Sequence, residues 1–466
     1  MTDEHLESTT PTDQQELLVT TITEGNVWRA VWFLSWPTMI SMFLSTAYMW
    51  INRIFVGKGL GTEAIDAVGL GGQALMVIFS VVMGVTAGTT ALVSRFTGAR
   101  SQEEAEQSAK QSIILSIIVS LIITLPSLAL AEPALRWMGA KGAVVPMAVS
   151  YTVICVLSTA PFFVLLVLAA IFRGLGDMKT PLYVTGLVTV VNIIADYLLI
   201  FGIGPFPKMG SDGAALAIGI SRIAGVAASI YWLLRSPLKG SIFRPWTPHL
   251  GWFVRIMKIG GPAILQGLMF SLGFTGYLWI LGKLDNSLEA QAAFFIGSGA
   301  EAIAYMPGFA FMMAATSLVG QNLGARRADR AEHGAWICAW QSLIVMTAMA
   351  AIFYIFADPF SRIFTKDAHV IPLSVSYLRI NAISEPFFGF AMVFSGAMQG
   401  AGDTKTPTII AFITMWLIRL PLTYVASIMY GGGITAAWII MSGTTILRGI
   451  IMIIIFMRGK WKTVEV

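Results

Sequence analysis

Long apolar runs, each closed by a short polar stretch, recur along the chain. They fall at roughly 28–55, 65–93, 108–131, 143–172, 179–202 and 212–235, then at 253–281, 288–318, 334–357, 369–398, 405–428 and 432–457. Each is near the ~20 residues that a helix needs to cross a membrane. The short alternating segments of a transmembrane β-barrel are not seen. The pattern predicts an all-α polytopic membrane protein with twelve transmembrane helices. A polar stretch at 236–252, with Pro237, Lys239, Arg244, Pro245 and Pro248, reads as a cytoplasmic linker. Residues 1–27 are polar and acidic and read as a mobile cytoplasmic tail; 458–466 read as a basic one.

The runs also repeat. Arg173-Gly174-Leu175-Gly176-Asp177-Met178-Lys179-Thr180-Pro181 recurs as Gln399-Gly400-Ala401-Gly402-Asp403-Thr404-Lys405-Thr406-Pro407, and 400 − 174 = 226. Gly98-Ala99-Arg100 recurs as Gly324-Ala325-Arg326, Glu132-Pro133 as Asp358-Pro359, and Arg222 as Arg448, all at the same spacing. The period is far longer than a solenoid unit. It predicts two homologous six-helix lobes, 28–235 and 253–457. An even number of crossings brings both lobes in from the same side, so the repeat is parallel. The repeated stretch itself reads as a polar hairpin. Its glycines permit a tight turn, and Thr180 and Thr406 stand as helix caps before Pro181 and Pro407.

Composition agrees with the pattern. The 466 residues are 56% hydrophobic and 12% charged, with a mean hydropathy of +0.75. Soluble chains carry about twice that charge. The net charge of +5 sits in loops and sets topology; it is not a nucleic-acid signal. Arg95, Arg100, Lys110, Arg173, Lys179, Arg255, Lys258, Arg326, Arg327, Arg330 and Lys405 fall on one side, Lys58, Arg136, Lys141, Lys208, Lys283, Arg362 and Lys366 on the other. This bias predicts a multi-pass protein of the inner (plasma) membrane with both termini cytoplasmic. Cys155 and Cys338 lie in apolar segments and read as buried free thiols. His5, His249, His333 and His369 are scattered. No metal-ligand set, nucleophile elbow or phosphate-binding loop is visible, so the sequence implies no enzyme activity, no cofactor and no use of ATP.

Ionisable groups inside the runs are the sharpest functional signal. Each costs about 2.5–3.5 kcal/mol near the bilayer centre on insertion scales. Arg222 and Arg448 occupy equivalent positions and read as structural. Asp196 is one-sided: 196 + 226 = 422, which is Leu422. Asn192, one turn earlier, maps to Ile418. A carboxylate and a carboxamide therefore share one helical face in the first half only. Glu385 maps to Thr159 and Glu301 to Leu75, so these are one-sided in the second half. They are open to three readings: cation binding, a place in the substrate cavity, or pairing with Arg379 or Arg419. Pro37 sits mid-run in the first span and must kink it or free a carbonyl.

Taken together, the two Gly-x-Gly-Asp-x-Lys-Thr-Pro loops, Val319-Gly320-Gln321-Asn322-Leu323-Gly324-Ala325, and Asn192 to Asp196 with Leu198-Leu199-Ile200-Phe201-Gly202 resemble the multidrug and toxic compound extrusion (MATE) family, over about 28–457. Within it the sequence is most similar to the DinF-like prokaryotic branch. The resemblance implies a secondary active antiporter, working as a monomer. It would export drug-like organic cations in exchange for H+ (or Na+) by alternating access. It also implies a cation-coupling cluster in the first lobe. Asn192 and Asp196 match that cluster's fifth-helix pair. At its first-helix aspartate position the chain has Asn52, which removes one titratable group and shifts the burden to Asp196. The sodium-coupled branch's acidic positions fall near Phe270 and Phe388, which favours protons. Pro37 matches a hinge proline of the first helix. Tyr48, Gln266, Glu301, Tyr305 and Glu385 are expected in the substrate cavity. A lipid-linked precursor flippase of the same superfamily is the alternative.

Overall fold

The structure, a computed structural model, describes the backbone of residues 11–60, 62–142, 144–243 and 245–465, and their side chains except at 11–14, 49–50, 52–60, 62–67, 70, 73–74 and 77. Every regular element among these residues is a helix, as the apolar runs predict. In the first lobe α2 is Val27–Leu60, α3 Thr62–Gly98, α4 Gln102–Trp137, α5 Val144–Leu157, α6 Thr159–Leu175, α7 Lys179–Phe201 and α8 Ser211–Leu234. A short α9, Gly240–Phe243, lies in the linker. The second lobe holds α10 Leu250–Leu281, α11 Ser287–Ala304, α12 Met306–Gly324, α13 Ala328–Ile355, α14 Ala357–Phe364, α15 Val370–Ala382, α16 Glu385–Gly400, α17 Lys405–Phe412, α18 Leu420–Tyr424 and α19 Gly433–Met457. Wide-pitch π turns, Ile413–Arg419 and Val425–Met429, join α17, α18 and the end of that span.

Nine of the described spans are long and apolar enough to cross a membrane as single segments. Two more are bent pairs, α5 with α6 at 47° and α11 with α12 at 44°. The pair α15 and α16, interrupted at Ser384, occupies the apolar run at 369–398. The break before α6 falls at Ser158 and recurs at Ser384, where 384 − 226 = 158. The bend at Tyr305 does not recur, because its counterpart Phe79 lies inside the continuous α3 (305 − 226 = 79).

One part of the sequence reading is corrected. Within the segment read as a mobile tail, Pro11–Thr23 forms helix α1. Val19 and Ile22 are buried, and Ile22 joins a core shared with Val31 and Leu34 of α2 and Phe311 and Leu318 of α12. The repeated hairpin is also built differently from the expectation. Asp177, not Thr180, accepts the free N–H groups at the start of α7, from Lys179 and Thr180, each at 3.0 Å. The Thr180 hydroxyl turns back and donates to the same carboxylate. Asp403 repeats this with the N–H of Thr406 at 3.1 Å and its hydroxyl at 2.7 Å. Aspartate wins because its two oxygens serve several donors and its charge suits a helix N-terminus. Gly176 and Gly402 supply the left-handed turn before it, at φ 84° and 92°.

The lobes meet along α3 and α10 and along α2 and α12. Backbone nearly touches backbone where α3 crosses α10: a Cβ on Gly84 would lie 2.6 Å from the Gly260 carbonyl oxygen. Small residues make such crossings possible. The closest seam is at the basic end of the molecule. A Cβ on Gly98 would sit 1.9 Å from the Gln321 carbonyl oxygen, and one on Gly324 2.0 Å from that of Arg95. Since 321 − 226 = 95, the two contacts are images of each other. Ser317 Oγ and Gln321 Nε2 of α12 then donate to the carbonyls of Arg173 (2.7 Å) and Gly174 (2.9 Å) across the seam. This end is shut.

The second lobe's core is aromatic near the same end. Phe394 stacks on Phe456 with ring centroids 4.4 Å apart, and Phe456 on Trp461 at 4.7 Å. Phe394 is fully buried. Phe394→Ala removes a ring that nothing can replace without moving helices, and is expected to destabilise the protein by about 3–5 kcal/mol. Thermal unfolding of purified protein in detergent checks it.

Candidate functional site

Two buried polar clusters stand in the helical bundle, one in each lobe, and they are not images of each other. In the first lobe Asn192 and Asp196 lie one turn apart on α7, at 1% and 0% exposure. The shared face inferred from their spacing is therefore an inward one. Asn192 Nδ2 donates to Ser221 Oγ of α8 at 3.4 Å. Tyr48 of α2 lies within electrostatic range of Asp196, Arg222 and Cys155. Arg222 donates to Ser158 Oγ at 2.7 Å and lies over the Phe162 ring at 4.2 Å. It thus braces α8 against the break before α6, in keeping with its structural reading. The side chain of Asn52 lies outside the described residues.

The second lobe gathers the other two one-sided acids. Glu301 on α11 and Glu385, the first residue of α16, lie within electrostatic range of each other. The Tyr377 hydroxyl donates to the Glu301 carboxyl. Glu385 is 3% exposed, and its Oε2 has no donor among the described residues. Arg419 lies within electrostatic range of Glu301. Its guanidinium donates to Thr444 Oγ1 and Thr445 Oγ1, both at 2.7 Å, and to the Met441 carbonyl at 3.3 Å. Arg419 thus places a guanidinium near the two carboxyl groups. That is the arrangement a low-dielectric interior favours.

Local structure explains why these groups meet. The 44° bend at Tyr305 turns α11 away from α12 just after Glu301. The interruption at Ser384 starts α16 at Glu385, whose carboxylate suits a helix N-terminus. The π turn at Ile413–Arg419 carries Arg419 inward. Tyr305 itself packs on Phe309 and Phe388, with centroids at 5.8 and 6.1 Å, within electrostatic range of both glutamates. Of the expected cavity residues, Glu301, Glu385 and Tyr305 come together. Tyr48 instead joins the first-lobe cluster, and Gln266 is half-buried on α10.

Tyr377 was missed by sequence reasoning because it carries no charge at neutral pH. The repeat held a signal, since 377 − 226 = 151 and residue 151 is also a buried tyrosine. A Tyr377→Phe variant should keep the fold and lose about 1.5–3 kcal/mol of stability, the usual worth of a hydrogen bond to a charged group. A melting shift much smaller than Phe394→Ala produces is the expected result.

Comparison with known proteins agrees with this architecture. A sequence model of the MatE family matches residues 37–198 and 262–425, one segment in each lobe. A chain described as "Probable multidrug resistance protein NorM" from Thermotoga maritima is 32% identical over 69% of this chain and 69% of its own length. "Probable multidrug resistance protein YoeA" of Bacillus subtilis is 23% identical over 89% and 90%. Among solved structures, an outward-facing conformation of a multidrug resistance MATE family transporter superimposes with a TM-score of 0.87 at 25% identity, covering 95% of this chain and 98% of that one. With the match spanning most of both lobes, the twelve-helix, two-lobed chain is a multi-pass membrane protein that belongs to the MatE family of transporters.

Proposed function

We propose that the protein is a secondary active multidrug exporter of the inner membrane. In this reading it moves drug-like organic cations outward in exchange for protons, with both termini in the cytoplasm. The observation that carries it is Asp196, a fully buried carboxyl beside Asn192 in one lobe only. A costly group that the repeat does not preserve implies a task beyond folding. Asp196 takes the coupling proton with Asn192 beside it, and Asn52 of the first span is assigned to the same cluster by the resemblance alone. The relatives named as multidrug resistance proteins support the substrate class. The closed basic end supports an outward-facing state, because the positive-inside rule puts that end in the cytoplasm.

Coupling needs only that the proton bind the two states unequally. Glu301 and Glu385, two titratable groups in electrostatic range of each other, make the second lobe responsive to the same gradient in this reading. Bends on either side of this pair, at Tyr305 and Ser384, are the places where that lobe flexes. Pro37 in α2 is the corresponding hinge of the first lobe.

The test is dye efflux from proteoliposomes under separately imposed pH and sodium gradients. A pH gradient alone is expected to drive an organic-cation dye. Movement under sodium alone would replace the proton with sodium. No movement under either gradient would sink the exporter reading and leave the flippase alternative, to be tested with a lipid-linked substrate.

A further inference from the structure

Helix α1, Pro11–Thr23, touches both lobes at the closed end. On the first-lobe side Gln15 Nε2 donates to the Leu175 carbonyl at 2.9 Å. Ile22, 1% exposed, lies against Gly176, where a Cβ would come within 2.5 Å of its Cδ1. On the second-lobe side the contacts are polar and denser. Arg327 Nη1 donates to the Thr23 carbonyl at 2.8 Å, and its Nη2 pairs with Glu24 at 3.0 Å. Arg330 donates to the Ile22 carbonyl through Nε (3.3 Å) and Nη2 (3.2 Å), and again to the Gly25 carbonyl.

These carbonyls are the ones a helix C-terminus leaves without partners, and they carry its negative dipole end. Two guanidinium groups from the far lobe satisfy them. The same segment runs through Asn26 into α2, so its covalent anchor is the first lobe while its polar clamp is the second. Neither lobe can move from the other at this end without stretching the link or breaking one set of contacts.

We infer that α1 is a strap across the two lobes, which holds the basic end shut through Arg327 and Arg330 and must be released before that end opens. This rests on the alternating-access reading above. The side that gives way is the weaker one. Among the described residues, one amide hydrogen bond and the apolar packing of Ile22 face the first lobe, against two charged side chains on the second. Opening therefore carries α1 away with the second lobe and exposes the Leu175–Gly176 turn.

The experiment measures the distance between spin labels at Glu104→Cys and Asp329→Cys, both exposed at the closed end, with the buried Cys155 and Cys338 left in place. Losing the charged clamp is expected to raise the long-distance population by about tenfold or more, at ~1.4 kcal/mol per factor of ten. Arg327→Ala with Arg330→Ala should show this. Arg327→Lys with Arg330→Lys should restore part of the short distance. Gln15→Ala and Ile22→Ala, which spare the arginines, should shift the population in the same direction if the double variant fails to fold. Gly98→Val, which breaks the seam without touching α1, is the control. If it lengthens the distance and the strap variants do not, the strap is overturned while lobe rocking stands. If none of them lengthens it, both are overturned.

Discussion

Asp196→Asn is expected to reduce efflux driven by a pH gradient to the level of protein-free vesicles. The substitution keeps the size of the side chain and one acceptor oxygen, exchanges the other oxygen for an NH2 donor, and removes the ability to titrate. The position is fully buried beside Asn192, itself held by Ser221. The variant should therefore fold, and its melting temperature should be close to that of the wild type or above it, since a buried ionisable group has been removed. Loss of transport without loss of stability separates coupling from structure. Asp196→Glu, which titrates but is longer by one methylene, should retain part of the activity. pH-driven transport that persists in Asp196→Asn would move the coupling proton to the second lobe. Glu301→Gln and Glu385→Gln, made singly, would then be the variants expected to abolish it.

The second large effect belongs to the seam. Gly98→Val and Gly324→Val each place a branched side chain where a Cβ alone would lie 1.9 or 2.0 Å from a backbone oxygen of the other lobe. Backbone cannot yield as a flexible side chain can, so the closed state must part. Overpacking typically costs about 1–3 kcal/mol, which shifts a two-state equilibrium by roughly 5- to 150-fold. Both variants should therefore populate the state open at the basic end, and the equivalence of the two contacts predicts similar shifts. Labels on Glu104 and Asp329 report it. An unchanged distance in both variants would mean that the glycine contacts are incidental to closure. Gly84→Ala should act more weakly on the same equilibrium, because Gly84 sits further along the crossing of α3 and α10, at 2.6 Å.

Much of this architecture was legible in the chain. A spanning helix must satisfy its own backbone in lipid, so an apolar run of sufficient length fixes a helix almost regardless of its neighbours. The 226-residue spacing then gave the two lobes. Asp196, Glu301 and Glu385 stood out because a charge in lipid is costly and the repeat did not copy them. Where the reading failed, a competing interaction decided, once local and once distant. Thr180 was expected to cap α7, and Asp177 does so because a carboxylate serves several donors at once. The segment 11–23 was read as a mobile tail from its polarity. It is ordered by two arginines more than 300 residues away, a separation no local pattern reports.

The sequence by itself therefore determined the membrane class, the number of spans, the internal repeat and which ionisable groups are exceptional. These follow from transfer energies and periodicity, which are properties of short windows. Only the tertiary structure decided which of those groups meet. Glu301 and Glu385 are 84 residues apart (385 − 301 = 84). They come together because α11 bends at Tyr305 and a helix begins anew at Glu385. Tyr377 joins them through a hydrogen bond, and the π turn brings Arg419 within electrostatic range, as the packing of α11, α15, α16 and that turn dictates. Closure of the basic end is likewise a property of two lobes in contact, since Gly98 and Gly324 carry no meaning until each faces the other lobe's backbone.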